Sequence, residues 1–171
     1  VSDWSSAVGS SGGGEYIEIS NGTGAAVGLA GVGVIVVHGG ASGGPAEYAR
    51  FDLSTAGTSI PADGYLLIKN AGVAASGALT VTLPDNSLQN GPNDGIVLVV
   101  GGAAVDAIAY EGSLAAMSLT GVTGTVTFTN LALTDTNTGT QSLSRSPNGV
   151  DTDAAGDWVL ATSGTPGTAN P

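Results

Sequence analysis

The sequence predicts an all-β domain, a two-sheet β-sandwich, and three observations carry that prediction. First, residues 96–100 (Ile-Val-Leu-Val-Val) form an aliphatic run too short for a buried helix and right for a strand covered on both faces. Gly101-Gly102 then supplies a turn in which both positions can take positive φ. Beyond it the pattern alternates, with Val105, Ala107 and Ala109 on one face and Asp106, Ile108 and Tyr110 on the other. Second, the other regular segments are short and punctuated by Gly and Pro, which suits a sandwich better than an even meander. Third, hydrophobic residues reach 42% but aromatics only 5%, so the core is built from small aliphatics and is thin.

Taken in order, residues 1–14 carry Ser-Ser and Gly-Gly-Gly runs and are expected to be a linker or lead-in, the domain proper spanning 15–171. Residues 15–19 form the first strand, with Ile17 on one face and Tyr16 and Glu18 on the other; Asn21-Gly22 ends it. A second strand covers 29–37, and a third covers 48–53 with Phe51 as its core residue. Pro61-Ala-Asp-Gly64 is a turn, Pro fixing φ and Gly taking the left-handed position, and residues 64–69 make the fourth strand. Residues 80–83 alternate up to Pro84, and the polar loop 85–94 offers Leu88 as a plug for the core. After the hairpin, 113–120 has a short helical flavour. Residues 122–129 alternate between Val122, Val126 and Phe128 on one side and four threonines on the other, as in a sheet with one wet face. A turn at 135–139, short strands at 142–145 and 157–160, and a Pro-rich stop complete the chain.

The balance of charge narrows the partners. The chain of 171 residues carries a net charge of −11, with three Lys and Arg in all (Lys69, Arg50 and Arg145) and one His, His38. Nucleic-acid affinity comes mainly from Lys and Arg displacing counterions, so nucleic acid is an unlikely partner. No apolar run is long enough to span a bilayer, and membrane insertion is not expected. Cysteine is absent, which excludes disulfides and thiolate zinc sites. The Ser, Thr, Gly and Asp richness with almost no Lys leans toward a secreted or cell-surface bacterial protein.

Few motifs carry chemistry. Residues 9–13 match Gly-x-Ser-x-Gly, but a nucleophile elbow needs a strand before and a helix after, and this one sits in low-complexity sequence. His38-Gly39-Gly40 resembles an oxyanion loop with no triad to serve, and the glycines at 22, 24 and 28 lead into a strand where a dinucleotide site needs a helix. Lys69 beside Asn70 is thin ground for an isopeptide cross-link. The best metal candidate is the run Asp151, Asp153 and Asp157, whose spacing with Gly156 resembles the start of a calcium loop. Ala155 stands where a third ligand belongs and Thr162 where a closing Glu should be. The remaining carboxylates are scattered, so acid/base hydrolysis has no support and no cofactor is expected beyond possible Ca²⁺ at those three aspartates.

Several segments together resemble the lamin tail domain. These are Glu15-Tyr-Ile-Glu-Ile-Ser-Asn21, Leu29-x-Gly31-Val-Gly-Val34, Ile60-Pro-x-x-Gly64-Tyr65, Leu88-x-Asn90, Asn93-Asp94-Gly95-Ile-Val-Leu98 and Val105-Asp106-x-Ile-x-Tyr110. Ser142-Leu-x-Arg145, Trp158, Thr165-Pro166-Gly167 and Asn170 close the pattern, which runs over residues 15–170. The sequence departs from it at Val32, where the family often carries Trp, and at 113–140, which reads as an insertion. The resemblance implies an immunoglobulin-like sandwich without catalytic apparatus, used as an accessory module of secreted nucleases, phosphatases or other hydrolases, or of surface proteins. It implies a binding or scaffolding role toward a protein or surface glycan, with a calcium-dependent adhesion module as the alternative and a hydrolase in its own right as a remote one. Asp106, facing the same way as Ile108 and Tyr110, is expected to accept hydrogen bonds from a turn and to pair with Arg145. Trp158 and Tyr110 are the expected core anchors, so these residues would hold the fold and not a reaction.

Overall fold

The structure is a computed structural model that describes residues 1, 3–5, 14–40, 44–85, 87–89, 91, 93–134 and 140–170. Its strands are β1 (Asp3–Ser5), β2 (Tyr16–Ser20), β3 (Val27–Gly28), β4 (Val32–His38), β5 (Ala46–Asp52), β6 (Ser59–Ile60), β7 (Tyr65–Lys69), β8 (Leu79–Thr82), β9 (Asp94–Val100), β10 (Ala103–Tyr110), β11 (Thr129–Asn130), β12 (Ser142–Arg145) and β13 (Trp158–Ala161). Two 3₁₀ turns, Leu53–Ala56 and Ala155–Asp157, are the helical elements among the described residues. The fold is all-β, as the sequence predicts, and among the described residues no helix is long and apolar enough to cross a membrane.

Two sheets share one core. The larger runs β13-β12-β1-β2-β7-β8 and the smaller β11-β10-β9-β4-β5, with β3 and β6 forming a separate pair. Alternation turns Ile17, Leu66, Ile68, Leu143 and Trp158 of the first sheet inward against Val34, Val36, Ile96, Ile108 and Tyr110 of the second. Leu88 is buried in this core and fills the plugging role its loop suggests. Tyr110 and Trp158 are core residues, as expected, whereas Phe51 is half-buried and packs on the core's margin.

The hairpin of β9 and β10 lies inside the smaller sheet, β9 pairing with β4 on its other side. Ile96 joins the inter-sheet core while Val97 and Val99 face outward into a second apolar cluster, so β9 is covered on both faces. A β-bulge interrupts the β9–β10 register between Ala104 and Asp106, leaving Val105 52% exposed.

The second cluster corrects two expectations. Residues 113–120 form no helix, and 122–129 form no continuous strand: Met117 and Val126 exchange two backbone hydrogen bonds of 3.1 and 2.8 Å, and pairing resumes at β11. Leu114, Leu119, Val122, Val126 and Phe128 instead pack over Ile35, Val37, Val97, Val99 and Ala109 on the outer face of the smaller sheet. That face is apolar and must be covered, and an extended cap covers more of it than one helical turn could, so tertiary burial overrides local propensity. The in/out pattern read from 122–128 is correct, with Val122, Val126 and Phe128 buried and Thr123, Thr125 and Thr127 exposed. The pairing is not.

The expected lead-in also holds a strand. β1 lies between β12 and β2, Trp4 in register with Leu143 and with Ile17. Two adjacent open edges would otherwise be left in the middle of the sheet, and three residues of backbone pairing close both. The Gly-x-Ser-x-Gly run at 9–13, the turn at 135–139 and Asn90 lie outside the described residues.

Candidate functional site

Two of the three aspartates expected to bind calcium, Asp151 and Asp157, lie against a guanidinium. Register places Arg145, the last residue of β12, opposite Trp158, and its side chain is 3% exposed. Its terminal nitrogens reach Asp106 Oδ2 at 3.1 Å, Asp151 Oδ1 at 2.9 Å and Asp157 Oδ2 at 3.4 Å. Nε donates to the Val1 carbonyl at 2.8 Å, and the guanidinium carbon lies 4.7 Å from the centre of the Trp158 ring. The predicted Asp106–Arg145 pair is present, though Asp106 also accepts from the Val1 nitrogen at 2.8 Å and not from a turn.

Asp157 is committed further. It accepts from the Thr152 backbone N–H at 2.6 Å, the Thr152 hydroxyl at 2.8 Å and the Ala154 N–H at 3.4 Å, closing the 150s turn on itself. Asp153 donates its backbone N–H to Asp151 Oδ1 at 3.2 Å, and its own side chain is exposed. The structure divides the three expected calcium candidates, Asp151, Asp153 and Asp157. Asp151 and Asp157 lie against Arg145, and Asp153 makes no ion pair with it. Among the described residues no group of three or more His, Asp and Glu is placed to share a metal ion.

Protonation follows from this geometry. Burial opposes ionisation of Asp106, but the Val1 amine and Arg145 outweigh it and hold the carboxyl below its ordinary value. Asp157 is likewise held down, chiefly by the Thr152 backbone N–H. Both carboxyls are thus favoured in their charged form at neutral pH.

A second polar group sits at the other end of the interior and was not foreseen, because its members are scattered through the sequence. Glu15 is 2% exposed and accepts the backbone N–H groups of Ser87 and Leu88 at 3.2 and 3.3 Å, holding the plug loop. Asp94 pairs in register with Tyr110 on one side and His38 on the other, and the His38 and Tyr48 rings are 5.8 Å apart. Tyr48 accepts from the Gln89 N–H at 3.1 Å. Burial pushes the Tyr48 phenol up to about 12 and Tyr110 well above its ordinary value, so both stay protonated at neutral pH.

Asp94 is the titrating member. Burial, and then the nearby Glu111 charge, raise it to about 7. A carboxyl at 3.8 when unfolded and near 7 when folded favours the native state fully below pH 3.8. That advantage is lost as pH rises to 7. Asp94→Asn is thus expected to leave stability near pH 4 unchanged and to raise it at pH 8 by about 2 kcal/mol, after allowance for solvent screening. Denaturant melts across that pH range would show it, and an equal shift at both ends would contradict it.

The other signature residues are likewise structural. Asn21 donates to the carbonyls of Ala25, Ile60 and Pro61 at 2.7, 3.1 and 2.8 Å, tying the 21–25 turn to the 60–61 segment. Glu18, fully buried, accepts the Gly167 N–H at 2.7 Å and so ties the Thr-Pro-Gly tail to the centre of the larger sheet. Gly167 has φ +83 and an added Cβ would lie 2.9 Å from the Ser76 nitrogen, so a side chain there is excluded twice over.

An open groove of about 720 Å³ lies on the flank of β10. Residues 104–107 form its floor, residues 125–130 one wall, and Asp153 and Ala155 the other. It arises because the segment after residue 122 touches β10 at two separated points. The Thr123 N–H donates to the Gly102 carbonyl at 2.8 Å, and β11 pairs in parallel with Ile108 and Ala109. Between these contacts the β10 edge carries no backbone pairing among the described residues. A scan against protein-family models finds no match to this chain, and searches of curated proteins and of solved structures find none either.

Proposed function

We propose that the chain is a non-catalytic binding module, an immunoglobulin-like sandwich of lamin-tail type working within a larger secreted or cell-surface bacterial protein, accessory to a hydrolase or to an adhesive partner domain. The observation that carries this reading is the division of labour among the polar side chains. Buried Glu15, Glu18, Asp106 and Asp157 each hold a named structural contact, while the groove beside β10 presents the exposed side chains of Thr125, Thr127 and Asp153. Charge supports a partner other than nucleic acid. Arg145 is internal, and Arg50 is held by Glu47 through two hydrogen bonds of 2.9 and 2.8 Å, leaving little cationic surface. The purified chain is expected to hydrolyse ester, phosphomonoester, phosphodiester and glycoside reporter substrates no faster than its heat-killed control. Turnover above that control would end the reading.

A further inference from the structure

The groove beside β10 has features that select among ligands. Its volume of about 720 Å³ falls in the range of small-molecule sites and suits roughly one or two sugar rings. Its lining joins exposed Thr125, Thr127 and Asp153 to Asn130, whose Oδ1 accepts the Leu114 N–H at 3.2 Å, with Val105 as its one exposed large apolar side chain. The walls are tied at one point, where the Thr129 hydroxyl donates to the Asp153 carbonyl at 3.2 Å. Phe128 is turned into the cap, so no exposed ring competes for the surface.

An extended peptide is the obvious occupant of a sheet edge, and two observations weigh against it. The bulge between Ala104 and Asp106 falls on the open stretch, so the even spacing that strand addition needs is broken there. The Thr123–Gly102 hydrogen bond and the β11 pairing close both ends, so a strand could not run through. Net charge of −11, with Asp153 in the groove, disfavours anions. A compact, neutral ligand whose groups both donate and accept hydrogen bonds matches threonine hydroxyls and an open backbone edge, which do the same.

We propose that this groove binds a neutral carbohydrate of one or two sugar units, held by Thr125, Thr127, Asn130, Asp153 and the open edge of β10. The assignment rests on the binding-module reading above and names its ligand class. Without an aromatic platform the affinity is set by hydrogen bonds and is in the millimolar range.

The test is a titration of the ¹⁵N-labelled full chain with neutral mono- and disaccharides (glucose, galactose, mannose, N-acetylglucosamine, lactose and cellobiose), followed through its amide spectrum. At least one sugar should move amides of residues 104–107 and 125–130 in a saturable way. Asp153→Asn should weaken that sugar at least about tenfold with an unchanged melting temperature, since Asn tolerates the φ of +56 at this position. Thr127→Val, which keeps the shape of an exposed side chain, should weaken it too. If no sugar moves the groove amides, or if both variants bind as the parent does, the carbohydrate assignment is overturned. A parallel arm uses peptides selected by phage display on the same chain. Peptides that move the groove amides where sugars do not would overturn the ligand class and leave the binding-module reading standing; failure of both arms would remove both.

Discussion

Replacing Arg145 by methionine should destabilise the domain by about 3–5 kcal/mol, because it leaves Asp157 without its cation and Asp106 with the Val1 nitrogen alone. Methionine can fill the volume over Trp158 but offers nothing to Asp106 and Asp157, which are 8% and 7% exposed. The pH dependence identifies the cause. In the parent, Asp106 and Asp157 are held below their ordinary values, so their contribution is present above the unfolded value of 3.8 and is lost as pH falls through the folded one. The penalty of Arg145→Met should therefore be greatest near pH 7 and shrink toward pH 3, as the stranded acids take up protons. Adding Asp106→Asn should return part of the loss at neutral pH. Arg145→Lys should remain well short of the parent, since one ammonium cannot reach the three carboxylates and the Val1 carbonyl that the planar fork serves together. A penalty that does not change with pH would mean that packing on Trp158, and not charge, is what Arg145 supplies.

The same residues show how far a sequence can be read. The hairpin at 94–110 is legible because two signals coincide, a continuous apolar run for a strand covered on both faces and alternation for its neighbour. The Asp106–Arg145 pair is legible because an acid on an inward face needs a cation. Asp151 and Asp157 show the limit. Their spacing is that of ligands, but spacing does not say which cation they meet, and here it is a side chain from β12. β1 is illegible for another reason: its three residues are a strand because β2 and β12 flank them, not because of their own pattern. The groove could not be found at all, since its floor, its walls and its two closures come from separate segments that only the fold brings together.

Residues 113–131 join these points to an expected result. Taken alone they read as an insertion, which implies that the sandwich would stand without them. The structure makes them the outer half of a second core, with Phe128 6% exposed against the sheet. The packing there is tight: an added Cβ on Gly95 would lie 2.6 Å from the Leu114 side chain and 3.2 Å from the Phe128 ring. Phe128→Ala is thus expected to cost about 3–5 kcal/mol, the loss typical of a buried aromatic, whereas Thr127→Val next to it should be nearly neutral in stability. Equilibrium denaturation of both variants measures the contrast. The slope of the Phe128→Ala transition should match the parent's, because one cooperative unit contains both cores. A separate early transition would instead mean that the cap unfolds alone, and the groove would then lose its wall before the sandwich melts.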